Sequence, residues 1–149
     1  MQEKKNKIYI STLVIFWLIF AFFILNILSM YAMPLFGQFT QFIGIPLMVI
    51  LLILGIVLIV LVSRAKFQKI VKAFFILTGS SAIGISVFAV LHNLLFALLI
   101  KLFGEDFGAR MGDEPVFFIL ATIVCPIALL VGIIGSIILI AKKKVIIKE

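Results

Sequence analysis

The stretch FIGIPLMVILLILGIVLIVLV, residues 42–62, decides the fold class. It contains 21 consecutive residues without a charged side chain, and apolar residues cover every face of the helix that it would form. About 20 such residues, rising about 1.5 Å each, cross the roughly 30 Å hydrocarbon core of a bilayer. A membrane strand needs only about 10 residues, which alternate between apolar and polar. The stretch therefore predicts a transmembrane helix and not a strand of a barrel.

Three further uncharged stretches, residues 8–30, 73–100 and 116–141, meet the same length requirement. Hydrophobic residues make up 65% of the 149-residue chain and charged residues 13%, against roughly 25% charged residues in soluble domains. Lipid must therefore solvate most of the side chains. The sequence predicts an all-α, polytopic membrane protein. We expect a single transmembrane domain over residues 1–149, a four-helix bundle with helices at about 8–30, 42–62, 73–100 and 116–141.

The basic residues are distributed unevenly between the two ends of these helices. Eleven of the 13 lysines and arginines flank the N-terminus, the connection between helices two and three, and the C-terminus. By the positive-inside rule these segments are cytoplasmic, so we expect a multi-pass protein of the cell membrane with both termini inside. The net charge of +7 suits attraction to anionic lipids of the inner leaflet. Nucleic acid is not an expected partner, because the cations flank apolar segments instead of forming a folded basic face.

Small and polar residues recur on helices three and four at spacings of three and four, which places them on one face of each helix. The face of helix three includes Ser86 and Ala89, and that of helix four includes Cys125, Gly132 and Ser136. Small residues allow helix backbones to approach closely in a membrane. We therefore interpret both faces as helix-packing surfaces.

Pro126 lies near the middle of the fourth apolar stretch. Proline has no N–H, and its ring collides with the carbonyl four residues earlier in a regular helix. The carbonyl that loses its usual donor needs a partner from a neighbouring helix or a water molecule. We therefore expect a helix kink at Pro126.

Four polar residues, Asn26, His92, Asn93 and Thr122, fall in the outer half of the predicted helices. At 1.5 Å per residue, His92 lies about 12 Å from the outer end of its helix. Because ionisable groups inside a membrane mark functional sites, one hypothesis is that these residues form a polar pocket in which His92 and Asn93 shape a ligand or proton site. The alternative is that a neutral imidazole hydrogen-bonds to a hydroxyl, amide or carbonyl of a neighbouring helix.

The outer loop between helices three and four is acidic, but its spacing matches no standard metal-ligand pattern. Asp113, Glu114 and Pro115 fit the start of a helix instead, as a cap, a favourable charge and a first-turn proline. With one cysteine and one histidine, the chain lacks a CxxC motif and bis-histidine haem ligation. We therefore predict no metal ligand, no cofactor and no catalytic residue, and we do not expect an enzyme.

A pattern of short motifs runs through residues 90–136: HN at 92–93, GDEPVFF at 112–118, CP at 125–126 and GxxGS at 132–136. This pattern resembles a group of small four-helix prokaryotic membrane proteins whose activity is not established. It covers about the last third of the chain. The resemblance implies a membrane bundle and transfers no activity.

Two functional hypotheses follow from the residues. The first is an accessory subunit or a homo-oligomer that assembles through the small-residue helix faces, because the helices lack charged transport residues. The second is a small channel or transporter in which helix three lines an outward-facing polar pocket. A different protein that co-purifies would favour the first hypothesis, whereas a closed homo-oligomer would keep the second open.

Overall fold

The computed structural model describes residues 2–36, 39–104 and 115–142. They form α1 (Gln2–Phe36), α2 (Phe39–Arg64), α3 (Lys69–Phe103), α4 (Pro115–Ile119), a π-helical turn (Leu120–Val124) and α5 (Cys125–Ala141). We call the stretch Pro115–Ala141, which joins α4, the turn and α5, the fourth span. α1, α2, α3 and the fourth span are each long and apolar enough to cross a membrane, and the described ranges contain no strand. The predicted all-α four-helix class is confirmed.

The helices extend beyond the uncharged stretches. α3, expected over residues 73–100, begins at Lys69 and ends at Phe103, so it includes Lys72 and Lys101. The length of an uncharged stretch indicates how much of a helix fits in hydrocarbon. The helix itself continues beyond that stretch, because its main-chain hydrogen bonds extend to the membrane surface, where lysine ammonium groups reach water. Gly104 caps the C-terminus of α3, and its φ of 85° is readily adopted by glycine and costly for other residues.

Helices that are neighbours in the chain are also neighbours in space. α1 packs along α2, α2 along α3, and α3 along the fourth span. The ring of Tyr9, near the start of α1, lies 5.9 Å from that of Phe67 in the α2–α3 connection. Phe74, near the start of α3, contacts Gly135 in the last third of the fourth span. The start of α1, the α2–α3 connection and the end of the fourth span therefore share one end of the bundle, which we call the basic end.

Side-chain size sets the spacing between the helices. α2 and α3 approach at Gly55 and Gly79, where a Cβ on Gly55 would lie 2.7 Å from the Gly79 carbonyl oxygen. The apolar stretch of α1 has no glycine, and large buried rings hold this helix instead: Phe16 and Phe23 are 0% and 3% exposed. Phe16 meets Phe75 of α3 edge to face at 5.4 Å. Because lipid is as apolar as these rings, close packing stabilises the contact. α1 stands farther from α3 than α2 does.

Candidate functional site, a cavity between the four helices

The fourth span departs from α-helical geometry at the π-helical turn Leu120–Val124. There the Cys125 N–H donates to the Leu120 carbonyl, five residues back instead of four. Pro126 follows directly, in the first turn of α5. A regular α-helix would press the proline ring against the carbonyl four residues earlier, and a π-helical turn relieves this collision by widening the helix. The sequence predicted a kink at Pro126, and the structure places the π-helical turn immediately before it.

The same geometry leaves the Ala121 carbonyl without its usual α-helical or π-helical donor. In an α-helix it would accept a hydrogen bond from Cys125, whose N–H instead donates to Leu120. In a π-helix it would accept from Pro126, which has no N–H. An unsatisfied main-chain group in a membrane interior costs several kcal/mol. The Ala121 carbonyl is therefore an acceptor available to a ligand or a water molecule.

A cavity of about 520 Å³ lies beside this turn, in the half of the bundle away from the basic end. All four helices contribute to its wall: Phe23, Asn26 and Ile27 of α1, Met48 of α2, Ile85 and Ala89 of α3, and Ala121, Thr122 and Pro126 of the fourth span. Its volume falls within the range of about 300–1,000 Å³ that is usual for ligand pockets. None of these lining residues is charged. We call this space the four-helix cavity.

Two residues of the predicted polar pocket, Asn26 and Thr122, both line the four-helix cavity. Asn26 is buried, at 8% exposure. The Thr122 hydroxyl donates to the Phe118 carbonyl of its own helix at 2.7 Å, so its hydrogen is engaged and its oxygen accepts. Together with the Ala121 carbonyl, the fourth span offers two acceptors, and the Asn26 amide both donates and accepts.

Asn93 lies elsewhere, in a groove of about 740 Å³ between α2 and α3. The residue is exposed, and its amide nitrogen donates to the Ala89 carbonyl at 2.7 Å. Ser86 also lines this groove, and its hydroxyl donates to the Met48 carbonyl of α2 at 2.7 Å. The rest of the lining is apolar, from residues such as Val90. We call it the α2–α3 groove.

His92 lines neither the four-helix cavity nor the α2–α3 groove. It is half-buried, and its ring packs on that of Phe118 in the fourth span, with 5.4 Å between the centroids. Adjacent side chains on a helix point about 100° apart, so His92 and Asn93 leave α3 in different directions. The structure therefore divides the predicted pocket: Asn26 and Thr122 share a cavity, Asn93 lies in the groove, and His92 contacts the fourth span.

Residues of the predicted packing faces contact other helices of the same chain. A Cβ on Gly132 would lie 2.6 Å from the Thr78 hydroxyl oxygen, and a Cβ on Gly84 would lie 2.6 Å from the Cys125 sulfur. Ser136 is fully buried. Its hydroxyl is the one buried side-chain oxygen or nitrogen in the described part of the chain that has no hydrogen-bond partner. Cys125, Gly132 and Ser136 thus lie inside the bundle and away from its outer surface.

The acidic loop of the sequence, with Glu105, Asp106, Asp113 and Glu114, lies outside the described residues. Within residues 2–36, 39–104 and 115–142, no group of three or more histidine, cysteine or acidic side chains could hold a metal ion.

Sequence reasoning missed the Ala121 carbonyl, Met48 and Phe23 as parts of a site. Pro126 was the available signal, because a proline inside a helix frees a carbonyl about one turn earlier. Which carbonyl is freed depends on whether the preceding turn is α or π, and the residues do not state that. Met48 and Phe23 are apolar side chains in uniformly apolar stretches, so nothing in the sequence distinguishes them from lipid-facing neighbours.

Four helices of this length and apolarity place the protein in the class of multi-pass membrane proteins. Comparisons with protein-family models, with curated proteins and with solved structures find no match. The resemblance carried by residues 90–136 therefore remains a prediction. The function has to be inferred from the cavity and from the chemistry of its wall.

Proposed function

We propose that the protein binds a small, largely apolar molecule in the four-helix cavity. The observation that carries this proposal is the convergence of all four helices on one cavity of about 520 Å³ that holds both apolar side chains and hydrogen-bonding groups. Polar groups are costly inside a membrane, and they mark functional sites there. Asn26, Thr122 and the Ala121 carbonyl supply such groups beside Phe23 and Ile85. This combination is typical of ligand pockets.

The distribution of charge supports a cell-membrane location with the basic end in the cytoplasm. The cations at the basic end include Lys7, Arg64, Lys66, Lys69, Lys72 and Lys142. Lys101 lies at the opposite end of α3. This asymmetry follows the positive-inside rule, and the ammonium groups would contact anionic lipids of the inner leaflet at about 1 kcal/mol each. In this orientation the four-helix cavity lies in the outer half of the membrane.

Binding fits the bundle better than open conduction does. Between the four-helix cavity and the basic end, fully buried apolar side chains fill the core: Phe16, Leu58, Val62, Val71 and Phe75. Ions cross a membrane along water, charged or polar groups. The polar side chains that are fully buried in the same half of the bundle, Thr12, Thr78 and Ser136, are uncharged hydroxyls, and those of Thr12 and Thr78 already donate to carbonyls of their own helices. A transporter would need the layer to separate during each cycle. The proposal assigns the chain a binding role and no catalytic step.

A tryptophan placed in the cavity wall provides the test. The one tryptophan of the chain, Trp17, is 47% exposed on α1, whereas Phe23 is buried in the wall of the four-helix cavity. In the double variant Trp17→Phe with Phe23→Trp, reconstituted in nanodiscs, bromohexanol should quench the fluorescence saturably, because bromine quenches indole on contact. The unmodified protein is the control, because the exposed Trp17 contacts the bilayer. Its quenching should rise in proportion to the bromohexanol dissolved in the lipid, without saturation.

Two asparagine variants provide a matched pair in this double variant, which we call the Phe23→Trp reporter. Asn26→Leu should weaken bromohexanol binding about fivefold, which corresponds to the loss of one hydrogen bond worth about 1 kcal/mol. Asn93→Leu should leave it unchanged, since Asn93 lies in the α2–α3 groove. Unsaturable quenching at position 23, or equal effects of the two variants, would contradict the binding function.

A second candidate function is an accessory or self-associating subunit. It is favoured by Asn93, an exposed amide on a helix that crosses the membrane, because polar side chains on such surfaces associate with other helices. The small residues Gly132 and Cys125 are already used inside the chain. Native mass spectrometry from nanodiscs separates the candidates: a bound small molecule supports the first, and a second copy or a different protein supports the second. Asn93→Leu should abolish the association and leave the small molecule in place.

A further inference from the structure

The four-helix cavity and the α2–α3 groove are adjacent. Met48 and Ala89 line both of them, so the two spaces share part of their walls. Methionine is unbranched and flexible, and it changes shape at low cost, while the methyl group of alanine leaves room beside it. A small movement of the Met48 side chain would therefore be enough to join the two spaces.

The two spaces differ in chemistry. The cavity is lined by Asn26, Thr122 and Ala121, whereas the groove is lined mainly by aliphatic side chains such as Val49 and Val90. A molecule that fits both spaces has one polar group and one apolar chain. The surrounding membrane supplies molecules of this kind.

A hydrogen-bond donor suits two of the three polar groups of the cavity, and the Asn26 amide can pair with a donor or with an acceptor. The Ala121 carbonyl can only accept, and the Thr122 hydroxyl has already given its hydrogen to Phe118. The polar group of such a molecule also has to be neutral, because none of the residues that line the cavity carries a charge to pair with an ion. A hydroxyl or a primary amide meets both conditions, whereas a carboxylate or a phosphate does not.

From these observations, and resting on the proposed function, we propose that the ligand is a straight-chain amphiphile with a neutral, hydrogen-bond-donating head. The head binds Asn26, Thr122 and the Ala121 carbonyl in the four-helix cavity. The chain passes Met48 and Ala89 into the α2–α3 groove and from there reaches the lipid.

A chain-length series of unlabelled alcohols tests this binding mode. In the Phe23→Trp reporter, hexanol, decanol and tetradecanol would compete with bromohexanol, each at a known mole fraction in the nanodisc lipid. If the chain leaves through the groove, each added methylene exchanges apolar lipid for the apolar groove and gains little free energy. The apparent affinities of the three alcohols should therefore agree within about twofold. A closed cavity would instead exclude the longer alcohols. Competition by hexanol with none by tetradecanol would overturn the inference.

The route of the chain is tested with two alanines of α3. Ala89 lies at the junction of the cavity and the groove, whereas Ala97, two turns later, is exposed and lines neither space. Ala89→Leu should make tetradecanol at least about tenfold weaker than hexanol, because the larger side chain narrows the junction. In Ala97→Leu the three alcohols should compete with bromohexanol as they do in the unmodified reporter. If hexanol and tetradecanol still competed equally well in Ala89→Leu, the chain would not pass Ala89, and the inference would be rejected.

The series separates this inference from the proposed function. If no alcohol competes and bromohexanol quenches without saturation, the four-helix cavity does not bind and both fail. If hexanol competes but longer chains do not, the cavity binds a small molecule and only the amphiphile is rejected. If the methyl ether of hexanol competes as well as hexanol itself, the head need not donate a hydrogen bond, and the assignment of its chemistry is wrong.

Discussion

The Ser86 hydroxyl of α3 donates a hydrogen bond to the main-chain carbonyl of Met48 in α2, with 2.7 Å between the two oxygens. A helix carbonyl has two lone pairs and uses one for its own helix, so it can accept this second bond. The bond lies where the four-helix cavity and the α2–α3 groove meet, because Met48 lines both. It therefore joins the two helices beside the path proposed for the ligand.

Loss of this hydrogen bond should destabilise the bundle modestly. We expect Ser86→Ala to lower the free energy of unfolding by about 1 kcal/mol, since interhelical hydrogen bonds in membranes contribute roughly 0.6–1.7 kcal/mol. Unfolding in mixed micelles with increasing sodium dodecyl sulfate measures the change. Ser80→Ala is the control, because the exposed Ser80 hydroxyl bonds only to Leu77 of its own helix. Equal losses in the two variants would show that the bond between the helices contributes nothing.

Glycines at helix contacts should tolerate no larger side chain. Gly132→Ala would bring a Cβ to 2.9 Å from the Thr78 main-chain nitrogen, which cannot move without shifting α3. We expect a loss of about 1–3 kcal/mol in the free energy of unfolding, as for other overpacked contacts. Gly44→Ala is the matched control in α2, where no atom lies within 4 Å of the new Cβ. It should be neutral, or stabilising by up to about 1 kcal/mol through helix propensity, and a loss at Gly44 as large as that at Gly132 would refute the packing explanation.

Restoring the missing N–H of the fourth span should remove the acceptor from the cavity. In Pro126→Ala the new N–H can donate to a carbonyl of the preceding turn, so the Ala121 carbonyl no longer needs a ligand. We expect bromohexanol to bind the Phe23→Trp reporter about fivefold more weakly, by the loss of about 1 kcal/mol. The control is Pro46→Ala in α2, an exposed proline that lines neither space. Unchanged binding in Pro126→Ala would mean that the carbonyl does not contact the ligand.

The orientation of the chain can be measured with single cysteines. In a Cys125→Ala background, Gln68→Cys lies in the connection at the basic end, and it should resist an impermeant thiol reagent in intact cells. Gly108→Cys, in the loop outside the described residues, should react, because the positive-inside rule puts that loop outside the cell. Both cysteines should react after the membrane is opened, which controls for accessibility. The reverse pattern in intact cells would overturn the orientation.

The residues alone predicted the four-helix class, because bilayer thickness imposes a length that an uncharged stretch either meets or fails to meet. They did not predict where the helices end, since α3 continues through Lys72 and Lys101 into the interface. They also could not say which faces meet lipid. Leu51 is fully buried and Ile53 is 53% exposed, although both are aliphatic residues of the same apolar stretch.

The candidate site depended more strongly on the tertiary structure. The sequence placed Asn26, Thr122, His92 and Asn93 at similar depth, because depth follows from counting residues along each helix. Whether they meet depends on the rotation of each helix about its axis. Close contacts such as Gly55 with Gly79, and the π-helical turn before Pro126, fix that rotation through pairs of residues far apart in the chain. The sequence therefore determined four helices long and apolar enough to cross a membrane. Packing between distant residues decided that Asn26 and Thr122 share a cavity, which His92 and Asn93 do not line.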